Sequence, residues 1–191
     1  TLGQELEGYA HGIDRMRERL ITEQARWNHS CLGGTAVGTG MGCMPGFRAV
    51  IHKHLSDVLG RPMEAEGDLV DGMMAIDGLI IAHAHILALS TQMWKLARDI
   101  RMIASGERTG LREITLPERD DDEPDYTELM ISTTNRVSAN NSAVVLGVQS
   151  GWLNLGSASG IPIRSIIASA DMLSSAMDIF VEKVVKGIKA N

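Results

Sequence analysis

LGGTAVGTG, at residues 32–40, is the segment that divides this chain. Six glycines stand between Gly33 and Gly46, and that density costs too much backbone entropy for a helix. The segment lacks the lysine–serine/threonine ending with which a phosphate-binding loop contacts phosphate and metal. It therefore predicts a structural crossover between a first helix that runs to about Trp27 and a short helix from Phe47 to Leu59.

Apolar residues recur at helical spacing on both sides of the crossover. The first helix carries such a stripe at Leu2, Leu6, Tyr9, Ile13, Met16 and Leu20. Gly60, with Pro62 just beyond it, is a typical stop signal for the second helix. Two further helices are expected downstream, a fourth from near Asp125 to about Leu155 and a fifth that follows Gly160.

The third predicted helix is the most apolar part of the chain. Asp68 is its expected N-cap. Its helical spacing continues through Leu69, Met73, Ile76, Ile80, His83, Leu87 and Trp94. Between Ala75 and Leu89 the apolar residues cover almost the full circumference, and a helix of that kind must be covered on all sides. The pattern favours an oligomer over an isolated bundle.

Composition agrees with helical packing. Aromatic residues make up 4% of the 191 residues and there are 11 methionines, which is typical of aliphatic helix–helix contacts rather than a β-sandwich. We predict an all-α bundle of about five helices, three of them long, that forms one domain over residues 1–191.

Four motifs resemble one enzyme family from end to end. They are TLGQE at residues 1–5, LGGTAVGTG at 32–40, LARDIR with ASG at 96–106, and KGIKAN at 186–191. This set closely resembles the central helical domain of the fumarase/aspartase superfamily, whose members eliminate water or an amine from a succinate-type substrate. The resemblance implies a D2 homotetramer in which four copies of the helix set form the middle.

The chain departs from this family where catalysis is expected. Family members follow a Leu-Pro dipeptide with a GSSxMPxKxNP loop, but Leu116-Pro117 leads here into the acidic segment 118–125, which is shorter by about eight residues. Glu128 matches the family glutamate that pairs with a catalytic histidine, whose GRTHLQ segment would precede Thr1. We therefore expect Glu128 to be a vestigial catalytic residue, and Thr35 and Thr39 to be candidate substrate-binding residues of the glycine-rich segment.

The resulting hypothesis is a trimmed or redesigned lyase-derived scaffold, of engineered or natural origin, that self-assembles and lacks the parent activity. One alternative is a residual or altered lyase acting on a fumarate- or aspartate-type acid. A second alternative is a repurposed metal- or ligand-binding pocket in the bundle. The string DDEPD at residues 121–125 also matches a magnesium-binding DDxxD pattern, but Pro124 forbids a shared helix face there.

Other candidate sites have plain structural interpretations. His83 and His85 are two residues apart and would point away from each other on a helix, so buried polar contacts at an oligomer interface are favoured over a metal site. Cys31 and Cys43 lack CxxC spacing and are expected to be inert, reduced thiols of a cytoplasmic protein. The net charge of −6 argues against nucleic acid, and the apolar region Leu79 to Leu89 is too short to span a membrane. No cofactor is predicted.

Overall fold

The computed structural model describes residues 1–75, 77–106, 108, 110–155 and 160–191. Ile76 of the predicted third helix and Gly156 of the predicted turn before the last helix lie outside these residues. Within the described residues the helices are α1 (Leu2–Arg26), α2 (Phe47–Leu59), α3 (Leu69–Met74), α4 (Asp77–Ile103), α5 (Tyr126–Val148) and α6 (Gly160–Lys183). Four strands of two residues each are β1 (His29–Ser30), β2 (Glu64–Ala65), β3 (Ile114–Thr115) and β4 (Lys189–Ala190).

The all-α prediction is confirmed, with 66% of the chain in helices. Local sequence signals account for three of the helix starts. Thr1 forms a capping box with Gln4 at α1, and the carboxylates of Asp68 and Asp125 accept hydrogen bonds from the first backbone N–H groups of α3 and α5.

The predicted third helix is two helices. It is interrupted after Met74, where Ala75 adopts an extended backbone with ψ 125°. Gly72 and Gly78 stand on the two sides of this break, and each disfavours a continuous helix by about 1 kcal/mol relative to alanine. The fourth predicted helix is also shorter than expected, because α5 ends at Val148 and residues 152–155 form a tight turn instead.

The hydrophobic core lies between α4, α5 and α6, and α1 packs along α4. On α5, Met130, Val137 and Val144 follow at seven-residue intervals, and all three side chains are fully buried. Phe180 of α6 is the largest fully buried side chain. The buried residues of α5 therefore form a continuous apolar face, and α5 packs against α4 and α6.

Two small two-stranded sheets join segments that lie outside the helices. β3 pairs antiparallel with β4, so that Ile114 lies opposite Ala190 and the C-terminal segment is fixed beside the end of α4. β1 pairs in parallel with β2, and this pair holds the segments that flank the glycine-rich loop and α2. Among the described residues, no helix is both long and apolar enough to cross a lipid bilayer.

Candidate functional site

Glu128 lies in the first turn of α5, where its carboxylate is ion-paired. Arg101 at the C-terminal end of α4 donates from Nη1 to Glu128 Oε2 at 2.5 Å, and its Nη2 lies 3.9 Å from Asp125 Oδ2. The Glu128 side chain is 56% exposed, so the pair contributes about 0–1 kcal/mol to stability. The family resemblance implies that the Glu128 carboxylate pairs with a histidine. In this structure it pairs instead with the guanidinium of Arg101 from the same chain.

Asp125 has a structural role beside it. Its Oδ1 accepts hydrogen bonds from the backbone N–H of Thr127 at 2.9 Å, from the Thr127 hydroxyl at 2.6 Å and from the backbone N–H of Glu128 at 3.2 Å. Partial burial acts to raise the pKa of Asp125, but these hydrogen bonds outweigh it and hold the pKa below its usual value. Asp125 is thus committed to capping α5.

The acidic segment is tied to α6. Lys183 donates to Glu123 Oε1 at 2.8 Å, and Arg119 donates to the Glu123 backbone carbonyl at 2.7 Å. The hydrogen bond from Lys183 is the main cause that lowers the pKa of Glu123. These residues line a cleft of about 220 Å³ beside Arg101, whereas Asp121 and Asp122 are exposed to solvent. No group of three or more His, Cys, Asp or Glu side chains in the described ranges could hold a metal ion.

The glycine-rich loop folds back onto α3. Gly38 has φ +82°, and a Cβ built on it would lie 2.4 Å from the Leu69 carbonyl oxygen, so only glycine fits there. Thr35 is a β-branched residue with φ +57°, and its hydroxyl donates to the Gly34 carbonyl at 2.7 Å. Thr39 is exposed, and its hydroxyl accepts the Met41 N–H at 3.4 Å. Both candidate threonines are therefore used by the loop itself.

An open groove runs along this loop and has a volume of about 880 Å³. We call it the loop groove. Thr35 and Phe47 line it, together with the sulfur-bearing side chains of Cys31, Cys43, Met44 and Met73. Burial raises the pKa of the Cys31 thiol, and the nearby carboxylates of Glu66 and Asp71 raise it further.

The structure does not bring the predicted site residues together within one chain. Glu128 is in the first turn of α5, whereas Asn154, just beyond its C-terminal end, donates to the Val37 carbonyl of the glycine-rich loop at 3.3 Å. Twenty residues of α-helix correspond to roughly 30 Å. Glu128 and the pair Thr35/Thr39 therefore lie at opposite ends of the same helix.

The histidine predictions need one correction. His83 was expected to make polar contacts at an oligomer interface, but it is fully buried and its partners belong to its own chain. Its Nδ1 lies 3.1 Å from Asn141 Oδ1 and its Nε2 lies 2.9 Å from Ser169 Oγ, which also accepts from Asn140 Nδ2 at 3.0 Å. A neutral imidazole protonated at Nδ1 donates to Asn141 Oδ1 and accepts from the Ser169 hydroxyl, which agrees with all three contacts.

The sequence did not lead us to predict this network. The adjacent residues Asn140 and Asn141 within one helix were a signal that polar side chains face the interior of the bundle. Burial lowers the pKa of His83, and the hydrogen bond to Asn141 offsets that effect only in part. His85 is half-buried and its Nδ1 lies 2.8 Å from the Ile81 carbonyl oxygen of the same helix. His52 is buried, and its Nε2 lies 3.0 Å from Ser30 Oγ.

This chain is similar to several known lyases in sequence and in fold. A family model described as "Lyase" matches residues 1–121. The class II fumarate hydratase of Chromobacterium violaceum is 31% identical over 199 residues and the aspartate ammonia-lyase of Bacillus subtilis is 30% identical over 198 residues; each alignment covers all of this chain. The crystal structure of fumarate lyase:delta crystallin from Brucella melitensis bound to cobalt superimposes with a TM-score of 0.93 at 29% identity and covers 100% of this chain. The chain spans 43%, 42% and 43% of these three proteins, respectively.

Proposed function

Because this chain belongs to the lyase family that contains the fumarases and aspartate ammonia-lyases, we propose that it forms a single lyase-derived helical domain that assembles into a homotetramer. We further propose that the 191-residue chain does not by itself catalyse the family's elimination reaction. The first part rests on the exposed apolar surface, and the second on the residues around Glu128.

Exposed apolar residues at one end of the bundle carry the assembly proposal. Ile163 and Ile167 lie four residues apart on α6 and are 44% and 55% exposed, while Leu146 of α5 is 67% exposed. Beside them, Trp152 and Leu153 in the turn between α5 and α6 are 81% and 93% exposed. Soluble monomers rarely expose contiguous apolar surface of this kind, and closed symmetric oligomers are the usual way to cover it.

Assembly also bears on the candidate site. Since Glu128 and the glycine-rich loop are separated by roughly 30 Å along α5, a ligand could touch both only where two copies pack with their α5 helices antiparallel. D2 symmetry, which the family resemblance implies, provides such antiparallel neighbours. Any remaining lyase chemistry would therefore need the oligomer.

The surroundings of Glu128 support the absence of elimination activity. Removing a proton next to a carboxylate requires a positioned base and positive charge that stabilises the resulting carbanion. Here the Glu128 carboxylate is paired with Arg101, and Lys183 is paired with Glu123. The alignment with the Chromobacterium enzyme spans 199 residues against 191 in this chain, as expected if about eight residues of the catalytic loop are absent.

We expect that purified protein will not hydrate fumarate and will not deaminate L-aspartate to fumarate. The absorbance of fumarate should therefore stay unchanged in both assays. The measurement should use high protein concentration and follow the activity across a sizing column. Glu128→Gln, with Glu118→Gln as the matched control, separates a contaminant from a residual enzyme. A rate that follows the protein peak and falls only in Glu128→Gln would support the residual-lyase alternative and contradict the proposal.

A further inference from the structure

Four residues with sulfur in their side chains line the loop groove. Cys31 and Cys43 are the only two cysteines of the chain, and both are half-buried in this groove. Met44 and Met73 line the same groove. Two thiols and two thioethers make a donor set that suits soft metal ions and suits hard ions such as Mg²⁺ poorly.

The backbone of the glycine-rich loop explains how both cysteines reach one groove. The Gly34 N–H donates to the Cys31 carbonyl at 3.0 Å, the Gly40 N–H donates to the Gly34 carbonyl at 2.9 Å, and the Cys43 N–H donates to the Gly40 carbonyl at 3.0 Å. These three hydrogen bonds form successive turns between the two cysteines, which are twelve residues apart. Both cysteines therefore belong to one hydrogen-bonded loop.

α3 brings the Cys31 thiol close to the second methionine. A Cβ built on Gly72 would lie 2.5 Å from Cys31 Sγ, so the thiol occupies the space that a side chain at Gly72 would fill. Met73 is the next residue of α3 and lines the groove itself. Cys31 is thus packed directly against the helix that presents a thioether.

The charge around Cys31 favours a cation. The carboxylates of Glu66 and Asp71 act electrostatically on the Cys31 thiol, and a positive ion bound there would be attracted by both. Leu32, Phe47 and Ile163 provide apolar walls of the groove. Such surroundings stabilise a weakly hydrated soft ion bound to sulfur.

We propose that the loop groove binds one soft monovalent metal ion, Cu(I) or its analogue Ag(I), through the thiolates of Cys31 and Cys43 with thioether support from Met44 and Met73. On binding, the two thiols release their protons to solvent, while the thioethers donate lone pairs without any change of protonation. No electron is transferred. The site uses neither Glu128 nor the acidic segment, but the candidate substrate-binding residue Thr35 lines the same groove.

Competition with a chromogenic Cu(I) chelator, such as bicinchoninate, under anaerobic reducing conditions tests this site on the full chain. We expect one Cu(I) per chain. Cys31→Ser and Cys43→Ser should each weaken binding by about tenfold or more, since even the loss of outer-sphere partners costs about 10–100-fold in metal affinity. Met44→Leu should weaken binding measurably. Met41→Leu is the matched control, because Met41 and Met44 are 83% and 75% exposed in the same loop, and Met44 lines the groove whereas Met41 does not.

Two results would overturn the proposal. The first is that the Cys31→Ser/Cys43→Ser double variant, shown by circular dichroism to be folded, removes Cu(I) from the chelator as well as the unmodified protein does. The second is that Met41→Leu weakens binding as much as Met44→Leu, since sulfur in the groove would then be no different from sulfur at the surface. Equal protection of both cysteines by Ag(I) against a thiol reagent would support the shared site.

Discussion

Replacing Phe180 by Ala should lower the free energy of unfolding by about 3–5 kcal/mol. Phe180 is 1% exposed and lies in the core cluster between α4, α5 and α6. Truncation removes a large buried apolar side chain and leaves a cavity that neighbours such as Met130 and Ile100 cannot fill without leaving their own positions. Urea denaturation at one fixed protein concentration measures the change, since assembly makes stability depend on concentration.

Phe47→Ala is the matched control for this prediction. Phe47 is the only other phenylalanine of the chain, and at 37% exposure it lines the loop groove rather than the core. Its truncation should cost about 1 kcal/mol or less. Equal losses for the two variants would mean that the three-helix core described here is not the main source of stability.

Replacing His83 by Ala should lower the free energy of unfolding by about 2–5 kcal/mol. The substitution leaves a cavity and removes hydrogen-bond partners from Asn141 and Ser169 inside the bundle. His85→Ala is the control, because the His85 ring is half-buried and its Nδ1 contacts a carbonyl of its own helix. We expect a loss of about 1 kcal/mol or less from it.

The same histidine makes stability depend on pH. Its pKa is about 6.5 in the unfolded chain and lower in the folded one, because burial disfavours the imidazolium. As the pH falls below 6.5, His83 becomes protonated in the unfolded state but stays neutral in the folded state. The free energy of unfolding therefore decreases until the pH reaches the pKa of His83 in the folded state. Urea denaturation at pH 7.5, 6.5 and 5.5 should show that the free energy of unfolding declines with falling pH, and that this decline is smaller in His83→Ala than in the unmodified protein. An identical decline in both proteins would show that other groups cause it.

Much of the fold could be predicted because its signals are local. The N-cap at Asp68, the start of α5 near Asp125 and the stripe of α1 depend on residues within four positions of each other. The interruption after Met74 was missed because the apolar spacing continues across it, whereas the backbone responds to the flanking glycines. Periodicity reports which face is apolar, but it does not report whether the helix is continuous.

The site residues were less predictable because their partners are distant in sequence. Glu128 pairs with Arg101, 27 positions away, and His83 pairs with Ser169, 86 positions away. Such contacts follow from the packing of α4 against α5 and α6, which no short pattern encodes. The cysteines give a third example, since their spacing did not indicate that both would line one groove.

The molecular mass in solution tests the assembly proposal most directly. Light scattering on the eluting protein should give four copies of the 20.7-kDa chain. Ile167→Glu should reduce that mass by placing a charge on the exposed strip of α6, whereas Ile21→Glu, at the nearly equal exposure of 54% on α1, should not. A well-folded monomer of 20.7 kDa for the unmodified protein would contradict the account.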